Sequence, residues 1–92
     1  MDISVLVPLY NEAESLPVLH DWIVRVMKEH QFSYEILFVN DGSTDDSWAV
    51  IKALQAKDTN VKGICFRRNY GKSAALHCGF QAVQGDVVIT MD

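Results

Sequence analysis

Four short polar stretches contain the residue types able to hold a ligand. The first is Val7-Pro8-Leu9-Tyr10-Asn11-Glu12, where Pro8 fixes a turn and Tyr10 offers a flat face with a hydroxyl, suited to packing a base or a sugar. The same segment also reads as an ordinary strand-to-helix loop in which Asn11 or Ser15 caps the next helix. The second stretch is Asn40-Asp41-Gly42-Ser43-Thr44-Asp45-Asp46. A carboxylate at a strand end, followed by a glycine that permits close backbone approach, can accept a hydrogen bond from the ring N–H of a uracil or guanine. Asp41 is the residue placed to do so; a turn-forming aspartate is the alternative. Asp45, Asp46 and Ser47 suit the start of the following helix, because acidic side chains favour a helix N-terminus.

The third stretch, Arg67-Arg68-Asn69-Tyr70-Gly71-Lys72, is the most basic part of a chain with a net charge of -4. Ahead of a helix, its cations would join the backbone N–H groups and the helix dipole in attracting phosphate, with Arg68 and Lys72 as ligands. A solvated basic loop is the alternative reading. It is not a P-loop, since no glycine stands five positions before Gly71 and no strand precedes it at the required spacing. No Gly-x-Gly-x-x-Gly follows the first apolar run either, which argues against a dinucleotide oxidoreductase. In the fourth stretch Asp86 and Asp92 bracket an apolar run. Asp86 reads as a turn residue, whereas Asp92 is placed to hold a ribose hydroxyl or to contribute to a divalent-cation site. His20, His30 and His77 lack ligand spacing and read as surface or packing residues.

The elements that must position these stretches follow from hydrophobic pattern. Ile3 to Val7, Ile36 to Val39, Ile64 to Phe66 and Val87 to Ile89 are short apolar runs without strict alternation, as in strands covered on both faces. Between them lie three helical segments. The first keeps Leu16, Leu19, Ile23 and Met27 on one face, with Val18, Trp22 and Val26 beside it and Pro17 in the opening turn. The second spans about 45 to 56, with Trp48, Ile51 and Leu54 inward and Thr44 or Asp45 as N-cap. The third spans about 73 to 84, with Leu76, Phe80 and Val83 inward, Gly79 allowing close helix–sheet contact and Gly85 ending the helix. Strand and helix thus alternate from one end to the other. That pattern predicts an α/β fold: a three-layer, Rossmann-like parallel sheet of four strands in the order 3-2-1-4, with helices on both faces. In such sheets ligands bind beyond the carboxyl ends of the strands where strand order reverses, here between strands one and four.

Composition sets the outer bounds. A chain of 92 residues, 49% hydrophobic and 22% charged, forms one folded unit rather than a disordered tail, fibre or membrane span. The acidic balance gives no broad attraction for nucleic acid or anionic lipid, so an anionic ligand must be held locally. Cys65 and Cys78 form neither a metal-type nor a redox-type pair and read as two buried free thiols. No basic-then-apolar leader follows Met1, which fits a cytoplasmic location. The chain stops at Asp92, directly after an apolar run, and so reads as one domain, 1–92, truncated at its carboxyl end. A fourth strand left at an exposed edge predicts self-association.

Taken together, Val-Pro-Leu-Tyr-Asn-Glu at 7–12, Val-Asn-Asp-Gly-Ser-Thr-Asp at 39–45, Arg-Asn-Tyr-Gly-Lys at 68–72 and Gly-Asp-Val-Val-Ile-Thr-Met-Asp at 85–92 resemble family 2 glycosyltransferases. The third motif, followed by Ala74, Ala75 and Gly79, looks most like the dolichyl-phosphate mannose synthase branch and its bacterial polyprenyl-phosphate relatives. The resemblance implies a GT-A fold, of which this would be the half that binds the nucleotide of a sugar donor. It implies that Pro8, Tyr10, Asn11 and Glu12 line the nucleoside pocket, that Asp41, with Gly42 and Ser43, meets the base, and that Arg68 and Lys72 lie near the phosphates. Asp92 matches the first Asp of the family's Asp-x-Asp motif, the catalytic and metal-binding site for Mg2+ or Mn2+; the second Asp would lie past the end of the chain. A nucleoside-diphosphate sugar and a lipid-phosphate acceptor are the implied partners, with the membrane reached through a region carboxyl-terminal to this chain. A family member using a hydroxyl acceptor in polysaccharide or glycolipid synthesis, or a non-catalytic nucleotide-binding module, are the alternatives.

Overall fold

The computed structural model describes residues 1–91. Strand β1 (Ile3–Leu9) is followed by α1 (Leu16–Glu29), β2 (Tyr34–Asn40), α2 (Ser47–Lys57), β3 (Val61–Cys65), α3 (Lys72–Ala82) and β4 (Val87–Thr90). The four strands form one sheet in the order β3-β2-β1-β4, every neighbouring pair parallel. This is the predicted order and direction.

Every residue of β1 and β2 is buried, as runs without alternation require when both faces are covered. The alternation is hidden in which side each residue serves. Ile3, Val5, Val7, Ile36 and Phe38 pack with Leu16, Ile23 and Met27 of α1 and Ile51 and Leu54 of α2. Leu6, Leu37 and Val39 face the other way, against Ala75 of α3. Helices α1 and α2 therefore share one face, and α3 covers the other.

Several boundaries and faces depart from the sequence reading. The third strand begins three residues early, at Val61, and Phe66 follows its end, although the Phe66 N–H still reaches the Asn40 carbonyl at 2.9 Å. Lys62 and Gly63 disguise the strand: it lies at the sheet edge, where a lysine can reach solvent and a glycine fits under α2. In α2 the N-cap is Asp46, but the capping is done by Asp45, whose Oδ1 accepts the Ser47 N–H at 2.9 Å and the Ser47 hydroxyl at 2.6 Å.

The inward face of α3 is Ala75 and Gly79, not Phe80, which is 51% exposed. A side chain at Gly79 would collide with Leu6, so the helix rides close on β1 along its small residues and turns Phe80 outward. Nor does Gly85 end this helix. The chain leaves it at Val83, which takes an extended conformation, and Gly85 serves a contact with Ser4 instead. Cys65 is exposed and Cys78 half-buried, so the pair of buried thiols is also corrected: Cys65 stands at the carboxyl end of an edge strand. His20 does pack, its Nε2 2.9 Å from the Asp58 carboxylate.

Candidate functional site

Pro8, Tyr10 and Glu12 at the end of β1, Asp41 at the end of β2, and Lys72 at the start of α3 meet on the wall of one cavity of about 1100 Å³. It lies beyond the carboxyl ends of β1 and β2, beside the point where the strand order reverses, as expected for this class of sheet. Its volume is that of a site for a nucleotide-sized ligand. Tyr10 is 45% exposed and keeps its ring available for stacking.

Asp41 is buried, and its carboxylate is already engaged. Oδ1 accepts the Tyr70 N–H at 2.8 Å and Oδ2 the Gly71 N–H at 3.0 Å, while the Asn69 side chain donates to the Asp41 carbonyl at 3.2 Å. An ionised carboxylate offers about four acceptor positions, so two bonds leave capacity for a ring N–H from a ligand. The same bonds occupy two backbone donors at the mouth of α3. A phosphate approaching this helix would therefore meet Lys72 rather than the N–H groups of Tyr70 and Gly71.

Asn11, Gly42 and Ser43 are not wall residues; they hold the loops together. Asn11 takes a left-handed backbone, φ 53°, and its Oδ1 accepts the N–H groups of Thr44 at 2.8 Å and Asp45 at 3.2 Å. Its own N–H donates to Ser43 Oγ at 2.9 Å. Gly42, at φ 70°, lies flat against the backbone of Arg68 and Asn69, where a side chain would overlap main-chain atoms. The three loops are thus clipped together by Asn11, Ser43, Gly42 and Asp41. Ser15 is the N-cap of α1 but turns its hydroxyl to Glu12 Oε2 at 3.0 Å instead of capping the helix. Arg68 also stands outside the wall, its guanidinium carbon 5.0 Å from the Tyr70 ring centroid in a cation–π arrangement.

The structure adds wall residues that the motifs did not single out: Asn69 and Gly71, and a stripe of α1 that includes Trp22 and Arg25. Trp22, which helical spacing placed beside the inward face of α1, is 48% exposed and lies on this wall instead. Asp92, the expected metal ligand and catalytic carboxylate, lies outside the described residues. Among the described residues no three of His, Cys, Asp or Glu come together to hold a metal ion. These residues do not form a Mg2+ or Mn2+ site by themselves.

Among relatives, CsbB of Bacillus subtilis (strain 168) is 46% identical over 90 residues. The undecaprenyl-phosphate 4-deoxy-4-formamido-L-arabinose transferase of Sodalis glossinidius is 43% identical over 91. Each match takes in 98% of this chain but only 27% and 28% of the relative, so the chain spans little more than a quarter of their length. Staphylococcus aureus TarS 1–349, solved in complex with UDP, superposes over 100% of this chain and 27% of its own with a TM-score of 0.80 at 24% identity. The mannosyltransferase PcManGT from Pyrobaculum calidifontis, solved with GDP-Man and Mn2+, covers 94% of this chain and 25% of its own, with a TM-score of 0.73 at 22% identity. These two likenesses bear on the fold, which is the GT-A arrangement that the motifs imply. The sequence model of glycosyl transferase family 2 matches residues 4–92, and the chain belongs to that family.

Proposed function

We propose that residues 1–92 form one nucleotide-sugar-binding unit within a longer glycosyltransferase, which moves a sugar from a nucleoside-diphosphate donor to a polyprenyl phosphate. The observation that carries this reading is the convergence of Tyr10, Asp41 and Lys72, from three separate loops, on one cavity at the switch point of the sheet. Tyr10 stacks on the base, Asp41 accepts its ring N–H through a remaining lone pair, and Lys72, helped by Arg68 swinging from Tyr70, neutralises phosphate charge. The acceptor assignment is supported by relatives named for undecaprenyl phosphate.

Charge decides the chemistry. Cleaving the sugar–phosphate bond leaves a nucleoside diphosphate, and cations near the phosphates stabilise the negative charge that develops. A polyprenyl phosphate is itself an anion near neutral pH, its second pKa being about 6, so no protein base is needed to activate it. A hydroxyl acceptor, as in polysaccharide or glycolipid synthesis, would need a carboxylate base. Asp41, tied to Tyr70 and Gly71, is a poor one. Asp92 with Mg2+ or Mn2+, a cytoplasmic-face location, and membrane contact through the region carboxyl-terminal to this chain belong to the same proposal. No described helix is long and apolar enough to cross a membrane. Pairing of two copies along the exposed edge of β4 is a further part of it.

Calorimetric titration of the chain with UDP and GDP, with and without Mn2+, tests the core of the reading. Saturable binding that weakens about tenfold in Asp41→Asn is expected. Absence of binding in every combination would favour a module that keeps the fold without the function. Sedimentation at high concentration tests the pairing; a monomer would exclude it.

A further inference from the structure

The turn joining α3 to β4 is held from beneath the sheet by a carboxylate at the opposite end of β2 from Asp41. Glu35 is 1% exposed. Its Oε2 accepts the Gln84 N–H at 2.6 Å and the Ser4 hydroxyl at 2.5 Å, and its Oε1 accepts Lys62 Nζ at 2.9 Å. The Ser4 oxygen in turn accepts the Gly85 N–H at 2.7 Å. Glycine is required at 85 because a Cβ there would stand 2.5 Å from the Ser4 nitrogen and 2.6 Å from its hydroxyl oxygen. Among the described residues no buried side-chain nitrogen or oxygen lacks a partner, so the cluster is complete as it stands.

We propose that Glu35 is a positioning residue: by holding Gln84 and Gly85 against Ser4, it sets where β4 runs beside β1. All four residues of β4 are exposed, and among the described residues it pairs only with β1, through bonds that open with the Asp86 and Val87 N–H groups on the Met1 and Asp2 carbonyls, both at 3.1 Å, and end with the Met91 N–H on the Leu6 carbonyl at 3.0 Å. A carboxylate buried with a half-exposed lysine contributes little net stability compared with an apolar pair, but it accepts donors in one geometry only. The Glu35 cluster draws on β1, β2, β3 and the α3–β4 turn, so it specifies one arrangement of all four. Because Asp41 holds the residues just before α3 and Glu35 those just after it, β2 grips this segment at both ends. The inference rests on the proposed function only for why the placement of β4 matters.

Amide hydrogen exchange on the 92-residue chain and its Glu35→Gln variant tests it. Exchange at the Val87 and Met91 amides, which donate to the Asp2 and Leu6 carbonyls, is expected to accelerate about tenfold or more relative to amides of α1 and the β2–β3 ladder. Uniform acceleration across all elements, or none in β4, would overturn the proposal. Should Glu35→Gln fail to fold, Gly85→Ala displaces the same turn from the other side of the contact and is expected to loosen β4 alone. Unfolding of both variants would also overturn it, since Glu35 would then support the whole sheet rather than the turn. Titration of the same unmodified sample with UDP keeps the two ideas apart: a chain that binds no nucleotide but loosens locally would remove the proposed function and leave the positioning role standing.

Discussion

Glu35 and Asp41 are two acidic residues on one strand and the loop that follows it, both nearly sealed from solvent and both accepting backbone N–H groups that flank α3. They differ in what remains. Glu35 has three side-chain and backbone donors, including a lysine, and is enclosed under the sheet. Asp41 has two backbone donors on its carboxylate and lies on the wall of a cavity of about 1100 Å³. The same chemistry is structural at the end of the sheet where it is closed, and available to a ligand at the end where strand order leaves a crevice.

Substitutions should separate the two ends. Glu35→Ala leaves the Ser4 hydroxyl, the Gln84 N–H and Lys62 without their acceptor, and is expected to cost about 3 kcal/mol in chemical denaturation. A loss below about 1 kcal/mol would mean that water replaces the carboxylate and that this end is not closed. Gly42→Ala is expected to cost about 2 kcal/mol and to weaken nucleotide binding as well, because a side chain there meets main-chain atoms of Arg68 and Asn69 at a left-handed φ of 70°. Unchanged stability would show that the two loops separate freely. Asp41→Asn should invert the pattern seen at Glu35, with about tenfold weaker nucleotide binding against only about 1 kcal/mol of stability. Equal damage at both positions would erase the distinction.

Acid should act on the closed end first. Burial pushes the Glu35 carboxyl up, but hydrogen bonds from Ser4, the Gln84 N–H and Lys62 more than offset it, and the group titrates below the ordinary glutamate value. Burial likewise opposes the Asn60 and His20 hydrogen bonds at Asp58, with the same net direction. A lowered folded-state value means stability is present above the ordinary carboxylate value, about 4, and is lost as pH falls through the folded one. Thermal melts from pH 7 down should be flat to about pH 5 and fall below it, and Glu35→Gln should flatten part of that fall. A steep loss above pH 5 would point to another group. The smallest effect is expected at Tyr10→Ala: about threefold weaker binding with unchanged stability, because the ring is half exposed and its role is stacking.

How much of this was legible in the sequence differs by element. The runs Ile3 to Val7 and Ile36 to Val39 announced central strands because both faces of each are covered, and continuous apolar sequence has no other use in so short a segment. β3 was harder to place, since an edge strand tolerates Lys62 and Gly63, which resemble a turn. Phe80 was misjudged because size suggested an inward side chain, whereas close packing on Leu6 selected Ala75 and Gly79. Asp41 was identified as a candidate from the glycine beside it. Its bonds to Tyr70 and Gly71 were invisible, as was the Glu35 cluster, whose partners lie 31, 27 and 49 positions away along the chain.

The amino-acid order alone determined the alternation of strands and helices, the parallel sheet and its reversal point, and the family, because hydrophobic period and short motifs are local properties. Tertiary structure decided which polar residues of those motifs line the cavity and which only clip loops together. It also decided that a glutamate inside an apolar strand is an anchor. Those assignments depend on distances between residues remote in sequence, and a hydrogen bond is made or lost within about half an ångström.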